Sequence, residues 1–151
     1  MAEVKFVVFK LDKEEYGTNI MQVQEIVPYQ EPVKVPNTPA FIEGVMNLRG
    51  NVIPVISLKK RFGIPVQEIN DNTRLIVINI GSKPIAFIVD DASEVLTLNE
   101  TDIQETPEVI SNTGRKYVTG IGKQGDRLII ILDLDYLLSD KEFAQLEAIE
   151  K

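Results

Sequence analysis

The chain has 151 residues, with 16 Lys and Arg against 23 Asp and Glu, a formal charge of −7, and no His, Cys or Trp. Without His or Cys there is no Ser–His or Cys–His nucleophile pair, no imidazole or thiolate metal ligand, no disulfide and no phosphohistidine. The acidic balance speaks against duplex nucleic acid and against an anionic membrane surface, since both require a basic face.

In chain order, the opening Met-Ala-Glu-Val-Lys has no basic n-region or long apolar stretch, so it does not read as a signal peptide. The first strand is predicted over Phe6-Val7-Val8-Phe9-Lys10-Leu11, rich in β-branched and aromatic residues, and the turn Asp12 to Glu15 follows it. A loop over Tyr29 to Thr38 leads to a predicted short helix. Thr38 is its N-cap, Pro39 its first residue, and Phe41, Ile42 and Val45 its apolar face. Further strands are predicted at Val52 to Ile56, Leu75 to Ile80, Ile85 to Val89 and Leu128 to Leu132, with turns at Gly81 to Pro84 and at Gly125-Asp126. The run Leu128 to Leu132 is the longest aliphatic one, far too short to span a bilayer. A second loop covers Asn99 to Lys116. Ser139 and Glu142 form a capping box before Phe143, Leu146 and Ile149, which predicts an amphipathic C-terminal helix over 139–151. Short strands with regular turns point to an all-β chain of small barrels or sandwiches, and the N-terminus without a signal peptide and the lack of a spanning run set the expectation of a cytoplasmic protein without membrane insertion.

The chain repeats itself. Lys5 to Val27 aligns without gaps on Arg74 to Leu96, an offset of 69 that lays Glu25-Ile26-Val27 over Glu94-Val95-Leu96. Gly44-Val45 then matches Gly120-Ile121, and Ile53, Val55, Ile56 and Leu58 match Ile129, Ile131, Leu132 and Leu134. The later offset is 76, so the second copy has a loop seven residues longer. Each copy is too short for a large core of its own. The expectation is two small barrels in pseudo-twofold relation around a shared seam.

Several motifs imitate chemistry. Gly120-Ile121-Gly122-Lys123-Gln124-Gly125 spells G-x-G-x-x-G, but it leads into a strand, not a helix, and reads as a glycine-rich turn between strands. Ser57-Leu58-Lys59-Lys60 spells S-x-x-K without the accompanying motifs of the serine acyl-enzymes, and reads as a strand end with a solvated basic turn. Asp90-Asp91 and the pair Asp133 and Asp135 lack a phosphate cradle and read as solvated strand ends. Asn99-Glu100-Thr101 is a sequon that carries no meaning in a cytosolic chain. Asn47-Leu48-Arg49-Gly50 is a rigid corner joining the short helix to a strand, where Gly50 takes positive φ. Arg49 there either pairs with a local acid such as Glu25 or anchors a partner. Val23, Val27, Gly44, Ala86 and Val95 belong either to the core or to an apolar groove at the seam that would accept an amphipathic helix.

Taken together, these stretches resemble the CheW family. The resemblance rests on Glu15-Tyr16-Gly17, Val23-Gln24-Glu25-Ile26-Val27, Asn37-Thr38-Pro39-Ala40-Phe41-Ile42 with Gly44, Asn47-Leu48-Arg49-Gly50, and Ile53-Pro54-Val55-Ile56 with Leu58. The second half adds Val89-Asp90, Glu94-Val95-Leu96 and Gly120-Ile121-Gly122, so the likeness runs from about Val4 to Leu138. It implies a single domain of two five-stranded SH3-like barrels, about 15–80 and 84–138, the second completed by the first strand (5–11). It implies a chemotaxis coupling protein with no catalytic activity, no cofactor and no metal. Such a protein bridges the cytoplasmic tips of methyl-accepting chemoreceptors to the regulatory domain of the histidine kinase CheA and is recruited to membrane-associated receptor arrays; the state in isolation is open, with a monomer as the default expectation. Receptor coupling maps onto Val23, Glu25, Val27, Gly44, Asn47, Arg49, Gly50, Ala86 and Val95, while no motif marks the kinase-binding surface. Ser57 stands where the family commonly has Asp, Thr18 where it has an aliphatic residue, and Ala86 where it often has glycine.

The competing expectations are three. The first is a CheW-like piece of a kinase or of a receiver fusion, against which the length and the Met1 start favour a stand-alone protein. The second is an enzyme built on carboxylates or lysine, which needs a deep polar pocket. The third is a barrel for single-stranded nucleic acid, which needs a basic groove with exposed aromatics.

Overall fold

The computed structural model describes residues 2–66, 68–105 and 117–137, apart from the side chain of Ser93. The predicted C-terminal helix over 139–151 and most of the second loop lie outside the described residues. In order, the strands are β1 (Glu3–Leu11), β2 (Glu14–Asn19), β3 (Val23–Pro28), β4 (Ile42–Leu48) and β5 (Asn51–Ser57), then helix α1 (Leu58–Phe62). They continue as β6 (Arg74–Ile80), β7 (Lys83–Val89), β8 (Asp91–Asn99), β9 (Ile103–Gln104), β10 (Val118–Gln124) and β11 (Arg127–Leu132). Single 3₁₀ turns sit at Ile20–Gln22, Glu100–Asp102 and Leu134–Tyr136.

Two sheets form, in the orders β8-β1-β2-β11-β10-β9 and β3-β6-β7-β5-β4, and they fit two SH3-like barrels. The sequence repeat is a structural repeat down to register. Glu25 lies opposite Val77 as Glu94 lies opposite Val8. Val55 pairs in parallel with Ala86 as Ile131 does with Gly17. Bulges recur at Ile42/Gly44 and Val118/Gly120.

The limits of 15–80 and 84–138 do not follow the sheets. β2 pairs with β1 and β11, and β7 pairs with β6 and β5. Each barrel thus takes its first two strands from one copy and its remaining strands from the other. Tight turns cause this. Leu11 pairs with Glu14 and Ile80 with Lys83, so β1–β2 and β6–β7 are inseparable hairpins.

Alternation explains the core. Phe6 and Val8 of β1 point into their own barrel with Leu96, Leu98, Ile129 and Ile131. Val7, Phe9 and Leu11 point the other way, into a seam shared with Ile56, Leu58, Ile76, Ile78 and Phe87. β6 does the same, with Leu75 and Val77 facing Met46, Ile53, Val55 and Ala86, and Ile76 and Ile78 facing the seam. Strands buried on both faces read as continuous apolar runs, which is why neither shows clean alternation in sequence. Phe9, Tyr16, Phe62 and Tyr117 stack in series across the seam, with centroids 5.8, 6.1 and 5.1 Å apart.

Four expectations are corrected. The predicted helix over 38–45 is absent: residues 39–42 make a turn in which Ile42 N–H donates to the Pro39 carbonyl at 3.0 Å, and strand β4 begins at once. Ile42, Gly44 and Met46 are buried at period two, and pairing with β5 overrides a three-residue helical pattern. Ser57 to Lys60 is no solvated turn, because the Ser57 hydroxyl caps α1 by accepting from Lys60 N–H at 3.2 Å, and Lys59 is only 6% exposed. Asp90 is no solvated strand end, since Lys59 bonds it at 2.7 Å. Gly120 and Gly122 lie inside β10 and not in a turn; a Cβ on Gly122 would sit 2.7 Å from Leu98 Cδ1.

Gly44 has φ 141°, and a Cβ there would fall 2.0 Å from the Val33 carbonyl oxygen. The loop strand is pinned at that point, since Val33 and Val45 exchange backbone hydrogen bonds at 2.8 and 2.9 Å. Gly63, at φ 73°, has open space around its Cβ. Gly44→Ala is therefore expected to lose roughly 2–4 kcal/mol in urea unfolding, through collision and strain together. Gly63→Ala should lose only about 1 kcal/mol, and equal losses would show that the Val33 contact is not the cause.

Candidate functional site

The corner Asn47 to Gly50 joins two strands and not a helix to a strand. Leu48 pairs with Asn51, leaving Arg49 and Gly50 as a two-residue turn with φ 52° and 89°. Positive φ at both positions is the geometry that matches strand twist in a tight hairpin. The Asn47 side-chain oxygen accepts from Gly50 N–H at 2.9 Å, so Asn47 is committed to building the turn.

The turn aims Arg49 at Glu25 on β3. Its two terminal nitrogens donate to the two carboxylate oxygens at 2.6 and 2.7 Å, a fork-to-fork pair. The sequence left open whether Arg49 pairs locally or faces outward; the structure has it do both. Glu25 is 16% exposed at its side chain and Arg49 is 72% exposed, so the guanidinium is oriented from below and open above. β3 and β4 are the two edges of the five-stranded sheet. The pair therefore bridges the gap across which that sheet closes.

The other expected residues separate into groups. Val23 packs partly against the seam and Val27 partly against the interior of the same barrel. Val95 is 54% exposed on β8, the edge of the other sheet, opposite seam-facing Val7. Ala86 is fully buried with Met46, Ile53 and Val77 and lines no groove, because its parallel pairing with Val55 places it inside the barrel. Gly44 is buried beneath the Val33 backbone and contributes close approach, not a surface. Sequence reading passed over Ile26, which is 38% exposed opposite seam-facing Ile76 and is the 69-residue counterpart of Val95. The repeat offset was the signal that could have found it.

A second clasp was also missed. Arg127, at the start of β11, donates to Glu94 at 2.7 Å and to Glu15 at 3.1 Å. Glu94 is the repeat counterpart of Glu25, yet its arginine stands on the strand and not in the turn, so aligning the copies does not reveal it. The hydrogen bond from Arg127 holds the Glu94 carboxyl below its usual range, and Glu94 with Glu15 raises the already high pKa of Arg127. Both barrels thus join an edge-strand glutamate to an arginine of the far hairpin.

Among the described residues no group of three or more His, Cys, Asp or Glu is placed to hold a metal ion, and no helix is long and apolar enough to cross a membrane. An apolar cavity of about 280 Å³, lined by Tyr16, Phe62, Ile64, Tyr117 and Ile130 among others, belongs to the aromatic stack at the seam.

A depressed folded-state carboxyl pKa contributes stability above the unfolded value of about 4.5 and loses it as pH falls through the folded value. Wild type should exceed Glu94→Gln by a few tenths to about 1 kcal/mol at pH 7, the discounted worth of an exposed pair. The gap should narrow progressively as urea titrations are carried to pH values further below that of a free carboxyl; a gap that stays constant through the acid range would rule out the charge as its source.

Comparison with known proteins agrees with this geometry. The CheW-like domain family matches residues 5–142. The chain is 39% identical over 147 residues to chemotaxis protein CheW of Klebsiella aerogenes, covering 97% of this chain and 89% of that one. It is 40% identical over 141 residues to chemotaxis protein CheW of Bacillus subtilis, covering 93% and 90%. The crystal structure of the scaffolding protein TtCheW from Thermoanaerobacter tengcongensis superposes with a TM-score of 0.84 at 40% identity, covering 94% of this chain and 92% of that one. With its duplicated barrels, its Asn-Leu-Arg-Gly hairpin and a match along nearly its whole length, the chain belongs to the CheW family.

Proposed function

We propose that this chain is a non-catalytic adaptor that couples the cytoplasmic tips of methyl-accepting chemoreceptors to the regulatory domain of the CheA histidine kinase. It acts in the cytoplasm beneath receptor arrays, as a monomer when alone and without a cofactor. One observation carries the receptor half of this reading. Arg49 is held on a strained two-residue turn by a bidentate bond to Glu25, while most of its guanidinium faces solvent. A preoriented, exposed arginine loses little freedom on docking and suits a polar or acidic rim on a partner. Half-buried Val23, with exposed Ile26 and Val95, offers apolar contacts for a helix laid along the seam, while Val27 acts from the barrel interior. Asn47 and Gly50 build the turn, and Gly44 and Ala86 act through the backbone and the core. The relatives named as chemotaxis proteins and the neighbour named as a scaffolding protein support the same role.

Calorimetry of the purified protein against a receptor-tip fragment and the kinase regulatory domain tests the proposal. Wild type should bind both. Arg49→Ala should weaken receptor binding at least tenfold, the scale of an interface arginine hot spot, while kinase binding stays unchanged and Tm falls by no more than about 4 °C. The pair itself contributes at most about 1 kcal/mol to the fold. Normal receptor binding by Arg49→Ala would remove Arg49 from the site, and binding of neither fragment by wild type would overturn the adaptor reading.

A further inference from the structure

The chain passes between its two sheets at two places, from β2 to β3 through Ile20–Gln22, and from β7 to β8 at Asp90. Each crossing is tied down differently. At the first, the Gln22 side-chain amide donates to Asp133 at 2.9 Å and to Asp135 at 3.3 Å. At the second, Asp90 N–H donates to the Lys10 carbonyl at 2.9 Å. One Asp90 carboxylate oxygen, Oδ2, accepts from Asp12 N–H at 2.6 Å and from the Lys59 ammonium at 2.7 Å. Asp12 sits in the β1–β2 turn of the six-stranded sheet, while α1, which carries Lys59, continues from β5 of the five-stranded sheet. A single oxygen therefore holds both barrels where the chain passes between them.

The repeat does not preserve this contact. The position 76 residues after Lys59 is Asp135, and the position 69 before Asp90 is Met21. The charge pair is a property of one crossing alone. Its setting gives it leverage. The seam is apolar and its burial is non-directional, while packed side chains allow two bodies only a few discrete arrangements, among which a directional contact can choose. Lys59 is 7% exposed at its side chain, so its ammonium has little solvent to replace Asp90 if that partner is withdrawn. Short charge-assisted bonds to one oxygen are directional.

We infer that Lys59 and Asp90 form a positioning latch that sets the register of the two barrels, and so the placement of Val95 relative to the Arg49 rim. The functional half of this inference rests on the adaptor reading. The chain has no cysteine. Val52→Cys with Leu128→Cys, at positions 56% and 60% exposed on the two sheets, therefore gives a unique spin-label pair for dipolar distance measurement. Lys59→Met is the main variant, since it leaves Asp90, 32% exposed, still able to hold Asp12 N–H and reach water. Lys59→Arg is the conservative rescue.

The interspin distribution should shift or broaden in Lys59→Met and return in Lys59→Arg, with both variants melting cooperatively. Unlabelled Lys59→Met should bind the receptor-tip fragment about two- to tenfold more weakly, with binding recovered in Lys59→Arg. If Lys59→Met fails to fold, Asp90→Asn and Lys59→Arg carry the same comparison. An unchanged distribution in a folded variant that lacks the pair overturns the latch. An altered distribution with unchanged binding overturns its role in coupling. If wild type binds neither fragment the adaptor reading fails, and the distance distributions alone decide the latch.

Discussion

The structure depends on β1 and β6 being buried on both faces. Each gives alternate side chains to its own barrel and to the common seam, so Phe6 and Val8 belong to one core and Val7 and Phe9 to another. A half-length copy would leave the seam face of its central strand in water. At about 25 cal/mol per Å² of apolar surface, it would forgo all the burial that the seam now provides. Duplication supplies a second apolar face, and the seam is where the two copies meet.

Covering that face leads to strand exchange. Tight turns hold β1 to β2 and β6 to β7, while β3 and β8 leave their own hairpins to pair with the opposite copy. The barrels are consequently interlocked by chain connectivity as well as by packing. Each crossing becomes a point where side chains influence both barrels at once. The polar contacts of Gln22 and of Asp90 are concentrated there, whereas the seam between them is hydrocarbon and aromatic rings.

The arginine–glutamate clasps answer a different constraint. A sheet that curls into a barrel must bring its edge strands together, and among the described residues no backbone ladder joins β3 to β4 or β8 to β9. A side-chain fork bridges what the backbone does not. The two clasps differ in accessibility, since Glu25 is the more sheltered acid and Arg49 the more exposed arginine, while Arg127 shares itself between two carboxylates. One clasp offers its cation outward; the other satisfies it internally.

Much of this was legible in the residues alone. Absent His and Cys, an acidic balance and a repeat at offsets of 69 and 76 determined an all-β, duplicated chain without thiol or imidazole chemistry, because these are properties of composition and of local pattern. The Asn-Leu-Arg-Gly corner was visible too, since a turn's chemistry is written in its own few residues. Which strand lay beside which was not. β4 was mistaken for a helix because three apolar residues fit either period until β5 lay against them. Ala86 went into the core and Lys59 under Asp90 because burial depends on what folds over a position, and here the covering residues come from the other copy. The sequence by itself determined the units and their turns, while only the tertiary structure decided the exchange of strands between them. Pairing partners far apart in the chain are chosen by the total surface they bury together, which no local window contains.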